Sequence, residues 1–248
     1  MIKLITRADD LGSSHSANLA IKNAVDIGFI KNVSVMAVCS FLDEAAYMLA
    51  DRSDISFGLH ATINAEWDNV RWAPLTRNQS IMDPEGFCFR DPAMFLSHLP
   101  VIDEVVEELD AQFDYLTRSG FKLRYLDAHM FFERYIPGLQ QEMNRWSKNK
   151  GLKYFNELPY ELFPFMDYQS STPGLFEKTL KNMTSGQYAY IVHPALYSEE
   201  MLETGNAAVP GEVVAYRRQQ DADFACSQMT MQSCQQYGVD SISIKDKF

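Results

Sequence analysis

The residues of this chain best suited to chemistry stand where apolar, β-branched runs stop. Asp9-Asp10 ends the first such run, His60 ends another, Asp127-Ala128-His129 a third and His193-Pro194 a fourth, so three of the five histidines close a strand-like segment. An aspartate with two histidines is a workable set for a divalent metal, because two imidazoles and one hard carboxylate leave coordination positions open for water and substrate. A catalytic rather than a structural metal is therefore expected. Adjacent strand residues project to opposite faces, so Asp9 and Asp10 can serve one site only where the strand has ended and twisted. One carboxylate would then bind the cation while its neighbour takes a proton from the activated water. Gly12-Ser13-Ser14 supplies its own capping residues, which frees the acids from that duty.

These residues need elements that bring them together. Apolar runs alternate with amphipathic stretches along the whole chain, the pattern of an α/β fold with a mostly parallel sheet. Strands are expected at Lys3–Ala8, Val33–Val38, Ile55–His60, Leu123–His129, Leu152–Phe155, Tyr188–His193 and Ser241–Ile244. Helices are expected at Ser16–Ile27, Leu42–Asp51, Val101–Ser119, Gly138–Asn149, Pro173–Asn182 and Ala215–Tyr237. No linker divides them, so residues 1–248 read as a single domain, either a barrel or an open doubly wound sheet. In either architecture the C-terminal ends of the strands converge on one face. Loops over 61–100 and 197–212 would overhang that face, and Trp67 and Trp72 in the first could stack on a sugar ring or merely pin the loop.

The order of these segments resembles a known family. Arg7-Ala8-Asp9-Asp10-Leu11-Gly12, followed by Asn18, is similar to the N-A-D-D-F-G opening of YdjC/ChbG-type carbohydrate deacetylases. Gly58-Leu59-His60 resembles their G-x-H, Leu126-Asp127-Ala128-His129 their L-D-[SG]-H, and His193-Pro194 their late H-P. The resemblance implies a distorted, TIM-like β/α barrel of about seven parallel strands, with a divalent ion, magnesium or zinc, held by Asp10, His60 and His129. It further implies Asp9 as general base, His193 as general acid or transition-state stabiliser, and Asp127 orienting a ligand histidine or closing the substrate site. The reaction implied is removal of an acetyl group from an N-acetylated sugar such as a chito-oligosaccharide. Three departures are visible: Arg7 replaces Asn, Leu11 replaces Phe, and Met130-Phe131-Phe132-Glu133 replaces a histidine-rich run, which points to a changed substrate preference. Two other readings stay open, a metal-dependent hydrolase of another amide, ester or phosphate, and a sugar-binding protein that has lost catalysis.

Composition narrows the partners. The chain has 248 residues, 46% of them hydrophobic, and a formal charge of −11. With no Lys/Arg-rich stripe it lacks the electrostatic footprint of a nucleic-acid or anionic-membrane surface, and a small carbohydrate suits it better. No apolar stretch approaches a transmembrane length, and Met1–Ala8 reads as a strand rather than a signal peptide. Cys39, Cys88, Cys226 and Cys234 show no CxxC spacing and read as reduced, mostly buried thiols of a cytoplasmic protein. A homodimer is the default for such an enzyme, although no interface signature is visible. His15 and His98 read as solvated or structural, Arg217-Arg218 as an exposed basic pair, and the Met229/Met231 neighbourhood as helix core.

Overall fold

The computed structural model describes residues 1–164 and 172–248. Its strands are β1 (Ile2–Leu11), β2 (Asn32–Val35), β3 (Ser56–Ala61), β4 (Leu123–Ala128), β5 (Lys153–Tyr154), β6 (Glu161–Leu162), β7 (Gly186–Val192) and β8 (Val239–Ser241). They form one parallel sheet in the order β5-β4-β3-β2-β1-β7-β6, with the short β8 paired to the first residues of β1. The seven-strand path curls into a half-barrel whose edge strands β5 and β6 do not pair with each other among the described residues. The helices are α1 (His15–Ile27), α2 (Leu42–Leu49), α3 (Ile102–Arg118), α4 (Leu139–Asn149), α5 (Pro173–Asn182), α6 (Glu199–Leu202), α7 (Gly211–Ala225), α8 (Gln228–Gln236) and α9 (Ile244–Lys247). None of the described helices is long and apolar enough to cross a membrane.

Period-two alternation sorts each strand into a helix-facing and a concave set. Leu4 and Ala8 of β1, Val33 and Val35 of β2, and Phe57 and Leu59 of β3 join the main core beneath the helices. Phe29, Phe176, Tyr190 and Phe224 meet edge to face or stacked in that layer, with ring centroids 5.1 to 6.2 Å apart. Burying each such ring contributes about 1.5–3 kcal/mol. On the concave side Ile5, Tyr125 and Ala189 form a floor closed by Ile242 and Ile244 from the C-terminal segment. Tyr125 needs Gly58 opposite it: a Cβ there would stand 2.1 Å from the ring. The Tyr125 hydroxyl pairs with Ser34 Oγ at 3.0 Å. Gly58 is thus the space-making residue of the G-x-H segment, two positions before His60 on the same face.

The single helix expected over Ala215–Tyr237 is two, α7 and α8. Cys226 closes the first, and Ser227 caps the second, its Oγ accepting from Met229 N. Met229 is exposed rather than core. The long segment 61–100 is largely irregular, with 3-10 turns at Gln79–Ile81 and Pro92–Leu96.

Candidate active site

Above the apolar floor the concave face turns polar. The alternation that points Ile5 inward also points Arg7 and Asp9 inward. In the β3–β4 ladder His60 is directly paired with Asp127, so the two share that face. Ala8 pairs with Val192, which sets Asp9 level with His193. Asp10 would face the helices if β1 stayed regular. Instead the register shifts between Ala8 and Leu11, and Asp10 adopts a left-handed backbone at φ 68°. This irregularity brings both acids to one site at the strain cost of a non-glycine residue in that region. The turn beyond is held by Asn18, whose Oδ1 accepts from Gly12 N at 2.8 Å while its Nδ2 donates to Phe41 O. Ser14 Oγ caps α1 by accepting from Ala17 N at 3.0 Å.

Asp10, His60 and His129 converge with one donor atom each inside 4.8 Å. Asp10 Oδ1 lies 3.4 Å from His60 Nε2 and 3.6 Å from His129 Nδ1, and the two ring nitrogens are 3.2 Å apart. The outer nitrogens of both rings have carboxylate partners: His60 Nδ1 sits 2.6 Å from Asp127 Oδ2, and His129 Nε2 sits 2.9 Å from Glu66 Oε2. With protons on those outer nitrogens and none on the inner ones, the form that a metal would bind, two lone pairs would face Asp10 Oδ1, a buried oxygen with no hydrogen-bond partner. Three electron-rich atoms turned on one another fit a cation between them, as a metal-binding reading requires. The surrounding charges agree. Burial opposes ionising His60, yet Asp127, Asp9 and Asp10 outweigh it and push its pKa up to about 10, so these acids favour positive charge at the cluster, a proton on the ring that a bound metal would displace. Burial also opposes ionising Asp10, but Arg218 and His60 hold its carboxyl well below the usual range.

Asp9, His60 and Asp127 form a second converging trio, but a guanidinium already bridges it. Arg7 Nη2 donates to Asp9 Oδ2 at 2.7 Å and lies 3.3 Å from Asp127 Oδ2, with Nε 2.7 Å from Asp9 Oδ1. The guanidinium rests 4.1 Å above the Phe155 ring. Against the cost of burial, Arg7 and then His60 keep Asp9 ionised, its pKa below the ordinary value. His193 follows β7; its backbone N donates to Asp221 Oδ2 at 2.8 Å and its Nε2 lies 3.8 Å from Asp9 Oδ2. Burial, reinforced by Arg218 and only partly offset by Asp10 and Asp9, holds its pKa below the ordinary value, so the ring is neutral at pH 7.

A cavity of about 310 Å³ opens on this cluster, with Asp10, His129, Glu66, Trp67, Trp72 and Arg218 on its walls. Trp72 is buried and donates from Nε1 to Asn64 O at 2.7 Å, so it pins the loop while presenting an edge to the cavity. Trp67 is half-buried, lines the same cavity and packs against the small apolar cluster that contains Trp72. A larger, more open depression beside Tyr197, Tyr216 and Arg217 contains none of the strand-end acids or histidines. Met130 and Phe131, following His129, both adopt left-handed backbone at φ 52° and 54°. They are 42% and 38% exposed, so the two apolar side chains that stand where the sequence departs from the histidine-rich run are partly solvent-facing, and neither is among the residues that line the cavity. Glu133 is buried, one oxygen accepting from Asn156 Nδ2 at 2.8 Å.

Two residues of the site escaped the sequence reading. Glu66 comes from the irregular loop, where no periodicity marks it. Arg218 was expected on the surface, but its Nη1 reaches Asp10 Oδ2 at 2.5 Å with only 16% of its side chain exposed. His15 and His98 are exposed, as expected, His15 pairing with Glu44 at 2.7 Å.

Residues 3–236 match the family described as YdjC-like protein. Among curated proteins, carbohydrate deacetylase 2 of Listeria innocua is 21% identical over 228 residues, covering 84% of this chain and 87% of that protein. A carbohydrate deacetylase of Brevibacillus brevis is 27% identical over 129 residues; the match spans 52% of this chain and only about half, 49%, of that relative. Of solved structures, one from Enterococcus faecalis V583, described as a candidate cellobiose-phosphate cleavage protein, superposes with TM-score 0.74 at 16% identity, covering 98% of both chains. The Bc1960 peptidoglycan N-acetylglucosamine deacetylase does so with TM-score 0.55 at 7% identity, covering 99% of this chain and 87% of that one. These structural likenesses speak to the fold, whereas the family match runs through every segment that builds the site: this chain belongs to the YdjC-like family.

Proposed function

We propose that this protein is a metal-dependent carbohydrate N-deacetylase, in which Asp10, His60 and His129 hold a divalent ion, magnesium or zinc, and Asp9 and His193 move the protons. The observation that carries this reading is the convergence of Asp10 Oδ1, His60 Nε2 and His129 Nδ1 with the outer atoms of both rings tied to carboxylates. The names of the curated relatives support the choice of an acetylated sugar as substrate. Such an ion, when bound, polarises the acetyl carbonyl and acidifies the attacking water.

The rest falls to side chains. Asp9, kept ionised by Arg7, accepts the water proton at Oδ2. His193 Nε2, 3.8 Å from that oxygen, starts neutral; it receives the proton and delivers it to the departing amine nitrogen. Asp127 and Glu66 fix the rings of His60 and His129. At about 310 Å³ the cavity is at the small end of ligand pockets and suits one sugar unit against Trp67 and Trp72. A soluble, cytoplasmic setting agrees with the scattered unpaired cysteines. A homodimer is the default assembly for a protein of this size.

The test is acetate release from N-acetylated mono- and disaccharides, beside a panel of esters and phosphates, after dialysis against a chelator and re-addition of magnesium, zinc, nickel or cobalt. Metal-restored acetate release is the expected result. Restored hydrolysis of the panel alone would move the chemistry to another substrate class, and metal binding in no condition would sink the reading. Glu66→Gln should separately weaken metal binding about 10–100-fold, because the His129 ring loses its charged anchor. Direct titration measures this, and an unchanged affinity would show that Glu66 does not orient the ring.

A further inference from the structure

Arg218 has no part in the proton transfers above, yet it pairs directly with Asp10, one of the proposed ligands of the ion. It lies midway along α7, and the helix separates it sharply from its neighbour. Arg217 lines the outer depression with Tyr197 and Tyr216, whereas Arg218, about 100° further round, lies on the wall of the cavity that holds Asp10, Glu66 and His129. Ala195 N donates to the Arg218 carbonyl at 3.2 Å, which ties the loop after His193 to the same helix turn.

Three observations set this contact apart from an ion pair that only stabilises the fold. Arg218 Nη1 takes Asp10 Oδ2 at 2.5 Å, so that oxygen is committed. Asp10 Oδ1 is buried, faces the two histidines and has no hydrogen-bond partner. Asp10 also holds a left-handed backbone at φ 68°, a strain that a stabilising ion pair on a regular strand would not require. Buried oxygens are rarely left unpaired, and backbone strain persists where the surroundings over-determine it.

We infer that Arg218 is a positioning residue that makes Asp10 a one-oxygen ligand: it engages Oδ2 and leaves Oδ1 alone to face His60, His129 and the ion. This rests on the reading of Asp10, His60 and His129 as the metal set. Its consequence is chemical. A carboxylate that gives one oxygen keeps a coordination position open for water or the acetyl oxygen, and one that swings to give both would close it. Arginine suits the task because its planar fork fixes direction, which a lysine ammonium does not.

The experiment uses the full chain with Arg218→Gln and Arg218→Lys, each loaded with cobalt(II). Metal stoichiometry, the visible d–d absorption band and melting temperature are read first, and acetate release second. In Arg218→Gln the expected result is one ion still bound, a folded protein, and a d–d band altered in intensity as Asp10 rotates to offer both oxygens. Turnover should fall about 10–100-fold with KM moved less than threefold. Arg218→Lys should keep the charge and still show an altered band. A band identical to the parent in both variants would overturn the inference, and so would loss of the ion together with melting of the fold in both. The spectrum needs no substrate. A parent that binds cobalt but releases no acetate would therefore defeat the functional reading while leaving this inference to stand or fall on the band.

Discussion

Asp10→Ala is expected to abolish stoichiometric metal binding and, with it, acetate release, and His129→Ala to do the same by removing the second wall of the triangle. Either change deletes one of three donors that converge within 4.8 Å. A catalytic site built from three protein ligands has no spare one to fall back on. The two variants should differ in stability. Asp10→Ala strands the Arg218 guanidinium, leaving a largely buried charge without its carboxylate, and breaking a buried pair in this way costs about 3–5 kcal/mol. His129→Ala leaves the buried Glu66 carboxylate on the cavity wall with the space of the lost ring open to water, a milder change because solvent can take the place of the imidazole. Metal content by elemental analysis, beside melting temperature, separates the effects. Asp10→Asn is the control, since it keeps a hydrogen bond to Arg218 while removing the charge the ion needs. Should His129→Ala and Asp10→Asn both retain one ion per chain, the cluster is not the metal site.

Part of this arrangement could be read from the chain before any coordinates. Strand alternation puts Ile5, Arg7 and Asp9 on one face of β1, and the ends of parallel strands must meet on one side, so Asp9, His60, Asp127, His129 and His193 were bound to be neighbours. What alternation alone denied was Asp10. Its side chain arrives only because the register slips after Ala8 and the residue takes a positive φ, a local price in strain that no pattern of hydrophobicity records. Glu66 and Arg218 were hidden for a different reason. The first sits in an irregular loop and the second in a helix directly after another arginine, Arg217. Only tertiary packing decides which of two consecutive arginines turns inward. The split of the last long helix was obscured likewise, because Ser227 is as acceptable within a weakly amphipathic run as it is at a cap. β6, two residues long, is below any periodic signal.

Asp9→Asn should separate metal binding from proton transfer. Asp9 is not among the three atoms that surround the ion position, so the variant should bind metal as the parent does. The asparagine oxygen can still accept from Arg7 Nη2, and Asp127, 3.3 Å from the same nitrogen, continues to balance the guanidinium. The fold should therefore survive with a modest loss of stability. Turnover should not: a neutral amide cannot take the water proton, and a positioned base contributes about 10²–10⁴-fold to such a step. Asp9→Ala is the informative contrast. It also removes the hydrogen bond that Arg7 makes, so it should lose activity and much stability together, whereas Asp9→Asn loses activity with only a modest loss of stability. Arg7 is also the residue that departs from the family's asparagine at this position, and its bridge between Asp9 and Asp127 means that the proposed base and the carboxylate beside His60 are held by one cation. Measuring turnover, metal affinity and melting temperature on the two variants decides the matter. If Asp9→Asn turns over within tenfold of the parent, the proton goes elsewhere, and His193, whose Nε2 lies 3.8 Å from Asp9 Oδ2, becomes the base to test.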